Sequence, residues 1–388
     1  MLLKGDLIVI YMDNAATSWP KPESVYRAVL NCMKRYGANP GRSGHKMAIE
    51  AGKILLHTRE MLCQLFSIDN PFQMIFTLNA TESLNLAIKG CTKPGDHIIT
   101  TTMEHNSVVR PLKELEKYDI KTTYVKADSQ GRIDPDDIKK AIRTNTRLIV
   151  TTHASNVTGT LVPVDEIGKI AREYGILYLV DAAQTAGIIP IDLSKLPVDM
   201  MAMPGHKGLL GPQGTGVLYI APHVKLKPLK EGGTGSQSEN LYQPEFAPDR
   251  YESGTQNTPG IAGLGAGISY ILQKSQKKLL SHIIRLEKFF LEAVSHIPGI
   301  KIYGPTNMDE RIGAISINIK DFDSAYIANL LDERYDIATR GAIHCAPLAH
   351  QTIGTLKQGT VRFSPGIFNT MDEVVECIRA LEQLSRLK

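Results

Sequence analysis

Asp181 and Lys207 stand 26 residues apart in two short motifs, V-D-A-A-Q (180–184) and P-G-H-K-G (204–208). Each motif closes a run of apolar residues, G-I-L-Y-L-V before the aspartate and V-D-M-M-A-M before the lysine. Both runs read as buried strands, so the acid and the amine would stand at the carboxyl ends of neighbouring strands, where open α/β sheets hold their ligands. A carboxylate that can keep a pyridinium nitrogen protonated, close to a lysine that can form a Schiff base, is what pyridoxal phosphate needs to work as an electron sink. A third motif, R-G-A-I-H-C-A-P (340–347), puts Cys345 in a loop and adds a nucleophile to that chemistry.

Other strand ends carry polar residues in the same pattern. L-N-A-T-E-S-L-N (78–85) follows a strand and opens a helix. The free amides of that helix start and the Thr81 hydroxyl suit a phosphate, although a plain helix cap would use the same residues. Met103-Glu104-His105-Asn106 follows the next strand and places His105 to stack on a cofactor ring and to move protons. Ser155-Asn156 and Asp181-Ala182-Ala183-Gln184 lie beyond two more strands, and His206 beside Lys207 can donate to a phosphate. The glycine-dense segment G-L-L-G-P-Q-G-T-G (208–216) lacks the G-x-x-x-x-G-K-[ST] pattern of a nucleotide loop; it points to close backbone approach near the lysine.

The five cysteines (32, 63, 91, 345 and 377) include no C-x-x-C pair, which argues against a disulfide framework or a zinc ribbon and for a reducing cytosol. Cys32, Cys63, Cys91 and Cys377 sit in helical or apolar settings and read as small buried hydrophobes. Cys345 instead lies beside His344 and near Arg340, followed by Pro347 and His350, and positive neighbours raise the thiolate fraction of a thiol. Arg362, 17 residues further on in G-T-V-R-F-S, is a candidate fork for a substrate carboxylate; a surface ion pair is the plainer alternative.

These residues need a scaffold. A chain of 388 residues with 43% hydrophobic and 22% charged residues reads as globular and as two domains. A net charge of +4 with no run of five basic residues argues against a nucleic-acid protein. No apolar stretch approaches the roughly 18 residues that span a bilayer. The start, M-L-L-K-G-D-L-I-V-I-Y, is a poor signal peptide and a plausible first strand over 7–12. Strands are expected at 73–78, 96–102, 121–125, 147–152, 176–181 and 198–203, separated by helices such as those opened by Asp134-Pro135 and by Pro163-Val164-Asp165. That alternation implies a mostly parallel sheet covered on both faces. Residues 228–259, rich in Gly, Ser, Gln, Asn and Pro, read as a long loop. Beyond it come a long helical region (260–297), strands near 312–319 and 360–364, and a last helix from Thr370 with Glu373 in a capping box.

Taken together the motifs resemble the class V aminotransferase-fold enzymes that use pyridoxal phosphate, and among them the cysteine desulfurases of the group that includes SufS and the selenocysteine lyases. The resemblance runs nearly end to end, through Y-M-D-N-A-A-T (11–17), N-A-T-E-S-L-N, T-M-E-H-N-S, S-N-V-T-G, V-D-A-A-Q-T, P-G-H-K-G, R-Y-E-S-G-T-Q-N (250–257), R-G-A-I-H-C-A-P and T-V-R-F-S. It implies the type I fold of these transferases: a mostly parallel seven-stranded sheet in a large domain (16–258), and a smaller α+β domain (1–15 plus 259–388) that carries the cysteine loop.

The resemblance also implies roles. Lys207 would carry the cofactor, Asp181 would pair with its ring nitrogen, Gln184 with its ring oxygen, and His105 would stack on the ring. Thr81 and His206 would hold the phosphate, and Thr255 would reach the phosphate of a neighbouring subunit in a homodimer. Asn156 and Arg362 would hold the substrate carboxylate, with Asn14 and Arg340 beside them, and Cys345 would take sulfur from L-cysteine as a persulfide for an acceptor protein in the cytoplasm. No metal is called for. The short span from Cys345 to Arg362 implies a loop of limited reach and low activity until an acceptor docks. Two departures stand out: Pro204 where many relatives have Ser or Thr, and Ala342 where many have glycine. Selenocysteine lyase or selenium delivery uses the same residues; a class V aminotransferase needs no cysteine; a non-enzymatic sulfur relay would need no cofactor pair.

Overall fold

The computed structural model describes residues 9–41 and 44–387. After β1 (Ile10–Tyr11), α1 (Glu23–Arg35) and α2 (Lys46–Phe66), the chain alternates strand and helix: β2 (Met74–Thr77), α3 (Ala80–Cys91), β3 (His97–Thr101), α4 (Asn106–Leu115), β4 (Lys121–Val125), α5 (Pro135–Lys140), β5 (Thr146–Thr152), α6 (Val164–Glu173) and β6 (Leu177–Asp181). Two further strands, β7 (Met200–Pro204) and β8 (Gly216–Ile220), complete a seven-stranded sheet of order β2-β8-β7-β6-β5-β3-β4. All neighbours are parallel except β8, which runs antiparallel to both β2 and β7. Every residue of β3, β7 and β8 is buried, as the unbroken apolar runs of a sheet covered on both faces require.

Each of the six strands expected from the sequence forms, with ends shifted by at most two residues. β8 was not anticipated. Its G-V-L-Y-I run follows a glycine-dense segment that carries no strand signal of its own, and a close approach explains the glycine at its start. A Cβ on Gly216 would lie 2.7 Å from backbone atoms of Asn79, at the start of α3.

The helical region expected over 260–297 is two helices, α7 (Thr258–Lys274) and α8 (Gln276–Ser295). Ser275 between them adopts left-handed backbone (φ 69°), which ends one hydrogen-bond ladder before the next begins. The stretch from 221 to 257 contains no regular element. It is anchored by Glu252, whose carboxylate meets Arg59 Nη2 at 2.6 Å and accepts the Phe76 N–H of β2, also at 2.6 Å.

The remainder builds a second core. β9 (Ile300–Tyr303), β10 (Ile315–Ile319) and β12 (Val361–Phe363) form an antiparallel sheet of order β12-β10-β9. α9 (Ser324–Tyr335), β11 (Ile337–Ala338), α10 (Pro347–Thr352) and α11 (Met371–Ser385) complete the chain. Phe290 of α8, Ile315, Ile317, Phe363 and Leu381 are buried together here. α11 starts with the expected capping box: Thr370 accepts from the Glu373 N–H while the Glu373 carboxylate accepts from the Thr370 N–H, an arrangement worth about 1 kcal/mol. Of the expected first strand, residues 7 and 8 lie outside the described residues; Ile10–Tyr11 pairs in parallel with β11.

Candidate active site

Six of the seven strands run the same way and end on one side of the large sheet, five of them beside the site. Beyond them stand Asn79–Thr81 after β2, His105 after β3, Asn156 after β5, Asp181 at the end of β6, and His206–Lys207 after β7. These residues line one cavity of ≈ 210 Å³, which Ala15, Gln184, Pro204, His344, Arg340 and Arg362 close from the other elements. Ten residues of the expected site therefore fall in or beside one space: Thr81, His105, Asn156, Asp181, Gln184, His206, Lys207, Arg340 and Arg362 in its wall, with Cys345 on the loop that abuts it.

The electrostatics match a bound cationic ring and its lysine. Asp181 is buried, accepts the Ala183 N–H at 3.0 Å, and forms no ion pair among the described residues. Burial pushes its pKa above the carboxylate range, against the pull of the Ala183 bond and the Lys207 charge. A pyridinium N–H would give this buried carboxylate the cationic partner that it lacks. Lys207 keeps part of its surface open to the cavity, yet burial, reinforced by Arg362, lowers its pKa to about 8. An amine near neutrality can attack a carbonyl and can move a proton. Pyridoxal phosphate therefore fits the donor set: Asp181 for the ring nitrogen, Lys207 for covalent attachment, and the start of α3 with Thr81 for the phosphate.

The lysine turn is tightly built. A Cβ on Gly208 would come within 2.4 Å of the Ala186 carbonyl, the close approach expected of this glycine-rich segment. Residues 17–21, which carried no signal for this role, hold the turn from below. Ser18 Oγ donates to the Lys207 carbonyl at 2.9 Å, and Lys21 Nζ donates to the His206 carbonyl at 2.6 Å. His206 Nδ1 lies 3.1 Å from Thr17 Oγ1, and burial drives the ring down to about 4, keeping it neutral.

His105 caps α4: its Nδ1 accepts the Ser107 N–H at 3.1 Å and touches the Ser107 hydroxyl. Burial first, then the charges of Lys207 and the nearby arginines, lower its pKa to about 4. A neutral ring is the form that stacks on an aromatic cofactor without bringing a second buried cation. Glu104, one residue earlier, is fully buried. Its Oε1 accepts the Thr101 hydroxyl at 2.6 Å, its Oε2 has no partner among the described residues, and burial raises its pKa to about 8.

Arg362 and Arg340 face the cavity from a two-residue antiparallel bridge in which each backbone N–H bonds the other's carbonyl. Arg362 Nη1 donates to the Asn156 carbonyl at 3.0 Å and Nη2 to Asp13 Oδ1 at 2.6 Å, while its buried Nε has no partner among the described residues. The arginine is thus no surface ion pair, and Asp13, inside the Y-M-D-N-A-A-T motif, is a partner that the sequence alone did not reveal. Arg340 Nη2 reaches Cys345 Sγ at 3.7 Å.

The cysteine loop is pinned. The Asn106 N–H donates to the Cys345 carbonyl at 2.8 Å, and Asn156 Nδ2 donates to the His344 carbonyl at 2.8 Å. Ala342, His344 and Cys345 all take left-handed backbone (φ 79°, 48° and 57°), which costs roughly 1–2 kcal/mol per residue. Alanine thus occupies a conformation that glycine would take freely. Cys345 is exposed, and the other four cysteines are buried as expected. Burial raises the thiols of Cys63 and Cys91 to about 11 and about 12, and those of Cys32 and Cys377 in the same direction.

Two expected residues are not brought to the cavity. Asn14 lines a neighbouring apolar cleft, and its amide is committed to the Ser364 carbonyl (3.0 Å) and Asn369 (3.2 Å). Thr255 is exposed, and among the described residues its hydroxyl meets the Asn39 amide at 3.4 Å.

The family model for class-V aminotransferases matches residues 10–376. A probable cysteine desulfurase of Methanothermobacter thermautotrophicus is 36% identical, covering 97% of this chain and 94% of that protein. Cysteine desulfurase IscS of Dictyoglomus turgidum is 33% identical with the same coverage. Among solved structures, the apo cysteine desulfurase of Thermococcus onnurineus superposes with a TM-score of 0.92 at 33% identity, over 97% of this chain and 95% of that one. Among the described residues no helix is long and apolar enough to cross a membrane.

Proposed function

The chain belongs to the class-V aminotransferase family and is a pyridoxal-phosphate-dependent cysteine desulfurase, and we propose that it transfers sulfur through Cys345. The observation that carries this reading is the placement of one exposed thiol against Arg340, at the wall of a cavity that holds Asp181 and Lys207. When bound, the cofactor supplies a sink for the electron pair left at the substrate Cα. The guanidinium of Arg362 and the Asn156 amide side hold the substrate carboxylate, and Lys207 moves the Cα proton. The Cys345 thiolate attacks the substrate sulfur: the new S–S bond forms as the Cβ–S bond breaks, the carbon takes a proton, and alanine leaves. Cys345 then carries a persulfide, whose outer sulfur passes to a thiol of an acceptor protein or leaves as sulfide on reduction.

The division into a large domain (16–258) and a small one (1–15 plus 259–388), the homodimer, the acceptor protein and the cytoplasmic setting belong to the same proposal. Thr255 supports the dimer because it is exposed and does not line its own chain's cavity, which leaves it free to serve a partner's phosphate. An exposed thiol that turns over as a persulfide supports a reducing compartment. The pinned loop supports low activity until an acceptor comes to it.

The test is alanine and sulfide formation from L-cysteine, with the cofactor and dithiothreitol, comparing the wild type with Cys345→Ala. Loss of both products in a variant that still binds the cofactor is expected; full turnover by Cys345→Ala would sink the assignment.

A further inference from the structure

His344 of the Cys345 loop, His350 of α10 and Thr355 form a row that the proposed reaction does not use. His344 and His350 are 2% and 0% exposed, with stacked rings whose centroids are 5.4 Å apart. His344 Nε2 lies 3.0 Å from the Arg340 carbonyl, His344 Nδ1 3.2 Å from His350 Nε2, and His350 Nδ1 2.7 Å from the Thr355 hydroxyl.

Bonding capacity fixes the direction of this row. A carbonyl oxygen only accepts, so His344 Nε2 carries the proton. A neutral imidazole has a single N–H, so His344 Nδ1 accepts and His350 Nε2 must donate to it. His350 Nδ1 is then an acceptor, and the Thr355 hydroxyl donates to it. Burial lowers the pKa of His350 to about 4 and pushes that of His344 down further, so both rings are neutral. All three bonds point one way, from Thr355 through His350 and His344 to the Arg340 carbonyl.

That carbonyl also accepts the Arg362 N–H at 2.8 Å. The row therefore ends on the bridge that carries both cavity arginines, and it spans the turn in which Ala342, His344 and Cys345 hold left-handed backbone. We propose that the Thr355–His350–His344 row is a positioning device for sulfur transfer, holding the Arg340–Cys345 turn so that the thiol meets the substrate sulfur in line. The inference rests on Cys345 being the nucleophile. His344 and His350 are positioning residues: what they fix is the backbone on either side of the thiol. An apolar pair would fill the same space without burying four ring nitrogens, but it could not hold the Arg340 carbonyl or impose a single orientation.

The experiment uses the full-length, cofactor-loaded enzyme with three substitutions. His350→Leu removes both the donor and the acceptor, His350→Gln keeps one of each on its amide, and Thr355→Val removes only the hydroxyl. Two quantities are read: kcat and KM for alanine formation from L-cysteine, and the rate of Cys345 alkylation by iodoacetamide, which is selective because the other four cysteines are buried. A thiol displaced by about 1 Å loses on the order of 10- to 100-fold in kcat, so His350→Leu should fall by that factor with KM within about twofold of wild type. Its alkylation rate should change by at least about threefold as the turn loosens. His350→Gln should restore most of both, and Thr355→Val should move both in the same direction by less.

Wild-type kcat and alkylation in Thr355→Val and His350→Leu would overturn the proposal. So would an equal fall in His350→Leu and His350→Gln, which would leave packing as the sole role. If His350→Leu does not fold, Thr355→Val decides alone. Failure of the nucleophile reading would show separately, as retained turnover in Cys345→Ala, and alkylation rates do not depend on turnover.

Discussion

Arg362 Nη2 lies 2.6 Å from Asp13 Oδ1, so the arginine placed to receive a substrate carboxylate already carries one from its own chain. The two residues are 349 positions apart, and the pair ties the start of the chain to β12. Arg362 is almost wholly enclosed, while the Asp13 side chain keeps 19% of its surface. The pair orients the guanidinium and offsets part of its charge, and among the described residues the buried Nε has no partner.

Asp13→Ala should therefore cost about 3 kcal/mol, the low end for breaking a buried pair, because an enclosed cation is left without its counter-charge. The urea midpoint of the cofactor-free protein measures this. Added sulfate should recover part of the loss by binding at the bared guanidinium.

Lys207→Met should stabilise the cofactor-free protein. The folded-state pKa of about 8 lies below the ordinary 10.5. The unfolded chain thus binds more protons between those values, and the stability contributed by the neutral amine is present above pH 10.5 and lost as pH falls through 8. At pH 7 the charged amine in its site is a burden of about 3 kcal/mol, at about 1.4 kcal/mol per pKa unit. A chemical-denaturation comparison at pH 7 and pH 10 should show the gain of Lys207→Met shrinking with pH. The same variant should lose the visible absorbance of the attached cofactor.

Glu104→Gln carries the opposite sign. Burial raises Glu104 from 4.5 to about 8, so its proton stabilises the fold at low pH and that contribution is lost as pH rises through 8. The amide should match wild type near pH 4.5 and exceed it by a growing margin up to pH 8, as followed by thermal midpoints. A constant offset across that range would contradict the neutral, buried acid.

Glu252→Ala should cost about 3–5 kcal/mol by leaving Arg59 buried and unpaired. The Phe76 N–H would also lose its acceptor. Because this contact anchors the 221–257 stretch, limited proteolysis of that stretch should accelerate in step.

Ala342→Gly should stabilise the protein by about 1 kcal/mol, since alanine at φ 79° is strained where glycine is not. Denaturant midpoints check this, and the folded cavity should be unchanged.

The strand ends were legible because the signal is local. Asp181, His105, Asn156 and Lys207 each follow an apolar run by a few residues, and a parallel sheet then collects them without further information. Asp13 was not legible, since its partner is on the last strand of the chain, and His350 and Thr355 acquire a direction only when the loop folds over them. β8 was hidden behind glycines whose need is a contact with the start of α3. The continuous helical pattern over 260–297 gave no hint that Ser275 would turn left-handed, because Ser275 and its neighbours are polar and the periodicity resumes at once. Asn14 and Thr255 carry the right motif but not the right place within one chain.

The Arg340–Arg362 bridge sets two guanidinium groups side by side on one wall, facing the cavity of Lys207. Such a concentration of like charge in a walled space draws small anions inward, and the pull weakens as ionic strength shortens the screening length, about 8 Å at 0.15 M salt. Inorganic phosphate and sulfate are then competitors for the places that a cofactor phosphate and an amino-acid carboxylate would take. A Michaelis constant for L-cysteine obtained in phosphate buffer would be an apparent one, larger than that in a zwitterionic buffer of the same pH.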